Sequence, residues 1–339
     1  MTYLYTLRFS APSHFGLEGI GQERVEERVR SDTLWGAVIQ KWLLLFQDDP
    51  DELCLNSPFH VSSCFPIINS TCFYPLPIGA LDTLMAEAAS CKEPILEVKE
   101  LKKIRFVAAP LFERIIAGEK ITIEELKTPA MVFPFLKKDE RQQQNVSGFS
   151  IIQRPRLEIN RLCGGGIEGA FFYCSDQFFT NDGGLFFLAS FADEDARKKF
   201  EASLRLLGDS GLGADRSIGR GMFSFTVAEY SPPEIKKPNA WLLLSLYHLR
   251  RDEVENGILE DQQTAYSLTR RAGRAASHLT ARFRRHDLWM LEEGSVLGQK
   301  PEGDVCKVLE RSPQINIPHN VYRNGRAFSL PMIRATSKE

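Results

Sequence analysis

The sequence lacks an excess of either charge, a long hydrophobic run, a paired-cysteine pattern and any complete catalytic motif. Its 339 residues include 42 Lys or Arg and 44 Asp or Glu, for a net charge of −2. That balance excludes wholesale coating of nucleic acid and leaves room for a local basic site. The longest apolar runs, such as Trp42-Leu43-Leu44-Leu45-Phe46, fall far short of the ~20 residues that span a bilayer. No membrane partner is expected. Residues 1–5 place no basic stretch before an apolar one, so no secretory signal is read there. The seven cysteines, at 54, 64, 72, 91, 163, 174 and 306, form no CxxC pair. Zinc ligands usually pair about two to four residues apart. The expectation is therefore reduced thiols in a cytoplasmic protein, most of them small core residues, with no metal and no cofactor. The six histidines (14, 60, 248, 278, 286 and 319) form no HxH or HExxH, and there is no GxSxG elbow. Only His14, just after the first strand, could face a site as a general acid or base.

What remains is an ordinary globular composition, 43% hydrophobic and 25% charged. Residues 3–9 read as a strand. Ser31 or Asp32 suits an N-cap, and Leu34, Val38, Trp42 and Leu45 recur at helical spacing. The stretch 48–150 reads as a large insertion, broken by Pro66, Pro75 and Pro77 and ending in a polar tract at 137–145. Residues 170–179 and 185–191 read as two strands joined by the turn Asn181-Asp182-Gly183-Gly184. Asp193 caps a helix with the apolar face Ala196, Phe200, Leu204 and Leu207, stopping at Gly208. A glycine-rich loop and a strand at 222–227 follow. The order is βαββαβ, the ferredoxin-like or RRM-like fold. Pro-rich residues 231–238 read as a linker. The expected fold class is α+β with two ferredoxin-like domains, 1–230 and 241–339, the first carrying the insertion and the glycine-rich loop.

Three features could carry function. The first is the loop Gly211-Leu212-Gly213-Ala214-Asp215-Arg216-Ser217-Ile218-Gly219-Arg220-Gly221. Gly208 and Gly213 have phosphate-loop separation, but Ala214-Asp215 follows where Lys-Ser/Thr is required. The loop also runs from helix to strand, the reverse of a dinucleotide site. Its glycines can still offer backbone N–H groups to phosphates, with Arg216 and Arg220 adding bidentate contacts. Anion binding is preferred over a plain connector. The second is Arg154-Pro155-Arg156-Leu157-Glu158-Ile159-Asn160-Arg161. Here Arg154, Arg156 and Arg161 suit either phosphates or a solvated strand edge. The third is 262–286, with Arg270, Arg271, Arg274, Arg282, Arg284 and Arg285 and neither acid nor lysine. Arginine favours planar phosphate recognition, and Tyr266 and Phe283 could stack on bases. An acidic protein partner is the other reading. The local charge, set against a chain of −2, favours a defined polyanion site.

A βαββαβ unit with a glycine-rich loop between its second helix and last strand resembles the RAMP superfamily of CRISPR proteins. Residues 31–37, Ser-Asp-Thr-Leu-Trp-Gly-Ala, look like a helix start common in type III subunits. Residues 156–161, 293–296 and 319–328 resemble blocks of the Cas5-like family that supplies the fourth subunit of type III-A Csm complexes. That resemblance implies a non-catalytic, RNA-binding subunit in antiviral defence. Such a subunit grips the 5′ handle of the CRISPR RNA and joins the large polymerase-like subunit to the backbone subunits, with target RNA nearby. Inserted hairpins in RAMP relatives pass across the guide–target duplex, and part of 48–150 is expected to reach toward a neighbouring subunit. The competing class is a metal-independent endoribonuclease that processes CRISPR repeats, using His14.

Overall fold

The computed structural model describes residues 1–16, 25–91, 96–128, 130–134, 148–160, 162, 164–275, 283–315, 317 and 319–334. Arg161, Cys163, Arg282 and the polar tract 137–145 lie outside the described residues.

The chain opens with β1 (Thr2–Phe9) and α1 (Ser31–Phe46), then α2 (Pro50–Leu55), β2 (Phe59–Val61), β3 (Phe65–Ile68) and β4 (Thr71–Pro75). Next come α3 (Asp82–Ser90), α4 (Val98–Leu101), β5 (Phe106–Ala108), α5 (Ala109–Ile116), α6 (Ile123–Lys127) and β6 (Val132–Phe133). A long pair follows, β7 (Phe149–Ile159) and β8 (Gly166–Phe179), then β9 (Gly183–Phe191), α7 (Glu194–Ser210) and β10 (Phe223–Tyr230). The main sheet is antiparallel and runs β10-β1-β9-β3-β4-β5-β6, with β2 also on β9. The glycine-rich loop lies between α7 and β10, as expected.

Strand β9 is apolar throughout because both of its faces are covered. Leu185 and Phe187 join Tyr5, Leu7, Leu34, Trp35, Val38, Phe200 and Leu204 under α1 and α7. Phe186 and Leu188 point the other way, into a cluster with Phe65, Phe73, Phe106, Phe112, Leu242 and Leu330. That second core therefore joins the stretch read as an insertion to residues from the end of the chain.

Three local expectations are corrected. The strand beside β9, opposite β1, is not β8. It is β2 and β3, inside the stretch read as an insertion. Strand β8 instead pairs along its length with β7 as a separate two-stranded sheet. The turn at 181–184 joins two strands that belong to different sheets. Helix α7 runs to Ser210 rather than stopping at Gly208, which is buried in its last turn. A Cβ on Gly208 would stand 2.4 Å from the Phe223 carbonyl oxygen, so this glycine serves close packing. Asp193 does cap the helix, accepting from the Ala196 N–H at 2.8 Å.

The last part of the chain comprises β11 (Ala240–Leu243), α8 (Arg251–Glu255), β12 (Leu268–Arg271), β13 (Leu288–Leu291), β14 (Val296–Leu297), β15 (Val305–Leu309), β16 (Val321–Asn324) and β17 (Ser329–Met332). These strands form three small antiparallel sheets, β14-β11-β17, β12-β13 and β15-β16. Among the described residues one five-residue helix accompanies them, so the elements here do not draw the expected βαββαβ order. The molecule is mixed α/β with antiparallel sheets. Among the described residues no helix is long and apolar enough to cross a membrane.

Candidate nucleic-acid interface

Alternation along a strand sorts the β7–β8 hairpin into two faces. Arg156 sits opposite Phe172 and Arg154 opposite Cys174, whereas Leu157 sits opposite Phe171 and Pro155 opposite Tyr173. The first face turns toward the glycine-rich loop. Arg156 Nη1 donates to Asp215 Oδ2 at 3.1 Å, and the Arg154 guanidinium lies 4.8 Å from the centre of the Phe178 ring. The second face carries exposed apolar side chains: Leu157 is 51% exposed, Phe171 55% and Tyr173 42%.

The loop is closed by its own backbone. The amides of Leu212, Ala214 and Gly221 donate to the carbonyls of Gly221, His14 and Pro12. Gly211, Gly213, Gly219 and Gly221 all have positive φ. An added Cβ would meet backbone oxygen at 2.2 Å on Gly211, 2.6 Å on Gly213 and 2.0 Å on Gly221, and nothing within 4 Å on Gly219. The expectation that all four admit a phosphate is thus corrected: three admit the protein itself, and Gly219 alone has open space. Gly219→Ala should cost about 1 kcal/mol, the left-handed penalty alone. Gly221→Ala adds a clash with backbone and should cost several times more. Thermal denaturation of the two variants checks that ordering.

The arginines divide by burial. Arg220 is expected as a phosphate ligand but is buried, donating to Asp176 Oδ2 at 2.7 Å, Asp215 Oδ2 at 2.8 Å and the Cys174 sulfur at 3.2 Å. It bolts the loop to β8. Arg216 and Ser217 lie in a short 3₁₀ turn on the outer side, Ser217 exposed and Arg216 half-buried. Among the described residues Arg216 has no acid partner, and it lies close enough to Lys41 of α1 to lower that amine's pKa, after burial itself. Lys41 was not anticipated, since only the tertiary fold brings α1 beside the loop. Arg156 pairs with Asp215, the residue before Arg216, and Arg154 lies 3.9 Å from Asp176, so Arg216 and Lys41 add positive charge that these two acids do not offset.

His14 does not face solvent. It is 4% exposed, and its Nδ1 lies 2.7 Å from the Ser175 carbonyl oxygen. His14, Cys174 and Asp176 place ligand atoms within 4.8 Å of one another. The Arg220 guanidinium already occupies the Cys174 and Asp176 side of that cluster and supplies its positive charge.

The third arginine group splits for the same reason of alternation. Arg270 points outward, 53% exposed on its side chain, and pairs with Asp287 at 2.7 Å. Arg274 is exposed and bridges in backbone register to Arg284. Arg271, expected beside them, turns inward and is corrected to a structural role. Its Nε and Nη2 donate to Asp32 at 3.1 and 3.0 Å. Arg323 also donates to Asp32. Burial alone would raise the Asp32 pKa, but Arg271 and Arg323 outweigh it and hold the carboxyl well below its usual range. Ser31 is equally occupied: its hydroxyl accepts from the Leu246 N–H at 3.0 Å. The Ser-Asp pair expected to cap α1 instead ties it to the end of the chain. The residue preceding the helix is Arg30, with no side-chain cap.

A two-helix-backed antiparallel sheet, a glycine-rich loop before its last strand and a long hairpin are the frame that the resemblance to RAMP proteins implies. Comparison with known proteins narrows this. The family described as CRISPR Csm4 C-terminal domain matches residues 236–332. The Csm4 protein of Thermococcus onnurineus is 22% identical over 307 residues, covering 89% of this chain and 90% of the relative. Two solved structures share the fold: the Csm3–Csm4 subcomplex of a type III-A interference complex, and a Csm1–Csm4 cassette with AMPPNP. The first has a TM-score of 0.63 at 17% identity, covering 98% of this chain and all of that one. The second has a TM-score of 0.61 at 16% identity, covering 98% and 99%. Residues 236–332 thus match the Csm4 C-terminal domain family, and the chain along most of its length is similar to Csm4 proteins.

Proposed function

We propose that this protein is a non-catalytic RNA-holding subunit of a type III CRISPR effector complex. It grips the 5′ handle of the CRISPR RNA and bridges the large polymerase-like subunit to a backbone subunit, with the target RNA nearby. Relatives of this fold are solved together with Csm1 and with Csm3, which is the arrangement a bridging subunit requires. In this reading residues 1–230 form a ferredoxin-like unit, supported by the strand order β10-β1-β9-β3. Residues 241–339 form a second unit, locked to the first through Asp32.

The observation that carries the reading is the loop–hairpin surface. Arg156 at Asp215 and Arg216 with Lys41 beside it gather cations at the loop whose exposed turn carries Ser217 and Gly219, and Arg154 lies two residues along the same hairpin face. Cationic side chains around open backbone suit the phosphates of a single strand. Arg161, outside the described residues, is adjacent to them in sequence. The uncovered apolar face of Leu157, Phe171 and Tyr173 suits a neighbouring protein subunit, so the hairpin takes the role expected of part of 48–150.

The endoribonuclease reading requires a histidine at a scissile phosphate, and His14 is turned inward. Labelled repeat RNA incubated with the isolated protein, with and without magnesium, should be bound and remain intact. Cleavage that is lost in His14→Ala would transfer the assignment to the enzyme.

A further inference from the structure

We propose that Trp289 is a stacking platform for one unpaired RNA base, with Arg270, Arg274 and Arg284 taking the adjoining phosphates. This rests on the RNA-holding function above and adds a second contact point, away from the loop–hairpin surface.

Trp289 is 62% exposed, beside Leu268 at 49% and Tyr266 at 42%. The β12–β13 register places it directly opposite Arg270, on the same face. Its neighbours Leu288 and Met290 point the other way, and Met290 is fully buried. The hairpin is therefore anchored by that opposite face, and the indole is not needed to hold it. Among the described residues the indole makes no hydrogen bond and no ring contact. A large flat ring presented to water, without a packing role, is suited to cover another flat ring.

The charge around it selects the kind of ring. Arg270 and Arg284 share a single carboxylate, Asp287, at 2.7 and 3.2 Å. Arg274 is exposed beside Arg284 with no acid partner among the described residues. The face is thus net positive around an aromatic centre. A nucleotide answers both parts, its base to the indole and its phosphates to the guanidiniums, and stacking on a base is tolerant of sequence. A base held in a duplex cannot present its face, so the ligand is single-stranded.

The test uses the full chain and a short single-stranded RNA of mixed sequence, with the same sequence as a duplex for comparison. Of the four tryptophans Trp35 and Trp42 are buried and Trp241 is half-buried, so the part of the quench that disappears in Trp289→Ala reports on the exposed indole. Wild-type fluorescence should be quenched by the single strand and not by the duplex. Trp289→Ala should lose the quench and about tenfold in affinity. Trp289→Phe should lose the quench but keep most of the affinity, because a ring remains. If Trp289→Ala binds RNA like the wild type while Arg154→Ala with Arg216→Ala loses binding, RNA holding stands and the platform is overturned. If Trp289→Ala keeps RNA but no longer assembles with its protein neighbours, the tryptophan is a protein contact and the proposal is wrong. If the wild type binds no RNA, both readings fall together.

Discussion

Asp32→Ala should be the most destabilising single substitution considered for this chain. The carboxylate is buried and pairs with two buried guanidiniums, Arg271 and Arg323. Removing it leaves two cations with no solvent to take its place. Breaking a buried pair from one side typically costs about 3–5 kcal/mol. We expect a fall in Tm on the order of 10 °C for a chain of this length. Arg271→Ala should cost less, because Arg323 still meets the carboxylate. The pH dependence carries a sign. A carboxyl held below its usual pKa stabilises the fold above about pH 4, the value in an unfolded chain. That contribution is lost as pH falls through the lower, folded value. Acid unfolding of the wild type should therefore be steep in that range, and Asp32→Asn should flatten it. Thermal melts between about pH 1.5 and pH 6 make the comparison.

The second large effect is on assembly. Leu157, Phe171 and Tyr173 form an uncovered apolar stripe on a hairpin that rests on the rest of the molecule through its other face. Replacing all three by serine leaves the core intact, so the fold should survive with an unchanged Tm. If the stripe is the central contact with a neighbouring subunit, each residue contributes as an interface hot spot, about 2 kcal/mol or more. The triple variant should then fail to co-purify with the backbone subunit, a loss well over a hundredfold. A variant that assembles normally would remove the hairpin from the interface.

The parts of this molecule that were legible in the sequence are those where burial is one-sided and periodic. Helix α7 shows its face through Ala196, Phe200, Leu204 and Leu207, and its start through Asp193. Strand β9 was legible as a strand from its apolar run, but its partners were not. Its true neighbours β2 and β3 are short, carry Pro66 and lie more than a hundred residues earlier. The β7–β8 hairpin mixes apolar and charged side chains on its covered face and exposes Leu157, Phe171 and Tyr173 on the other, so it has no one-sided hydrophobic alternation to read. The glycine-rich loop was found by composition, yet composition does not say which glycines face the protein. Adjacent arginines 270 and 271 could have been separated in advance, since neighbours in a strand point to opposite sides. The Ser31-Asp32 pair matched a capping signal and was recruited to a longer-range contact, which no local rule detects.

The central claim is that single-stranded RNA is held at the surface formed by the loop and the hairpin. The most direct measurement is the affinity of the full chain for the 5′ handle RNA across a salt series. It compares the wild type with the double variant Arg154→Ala and Arg216→Ala. Each cation removed from a phosphate of a single strand reduces the slope of log affinity against log salt by roughly 0.7, so the double variant should flatten it by about 1.4. Its affinity at low salt should fall as well. If the folded double variant keeps both the wild-type affinity and the wild-type slope, the RNA is not held there.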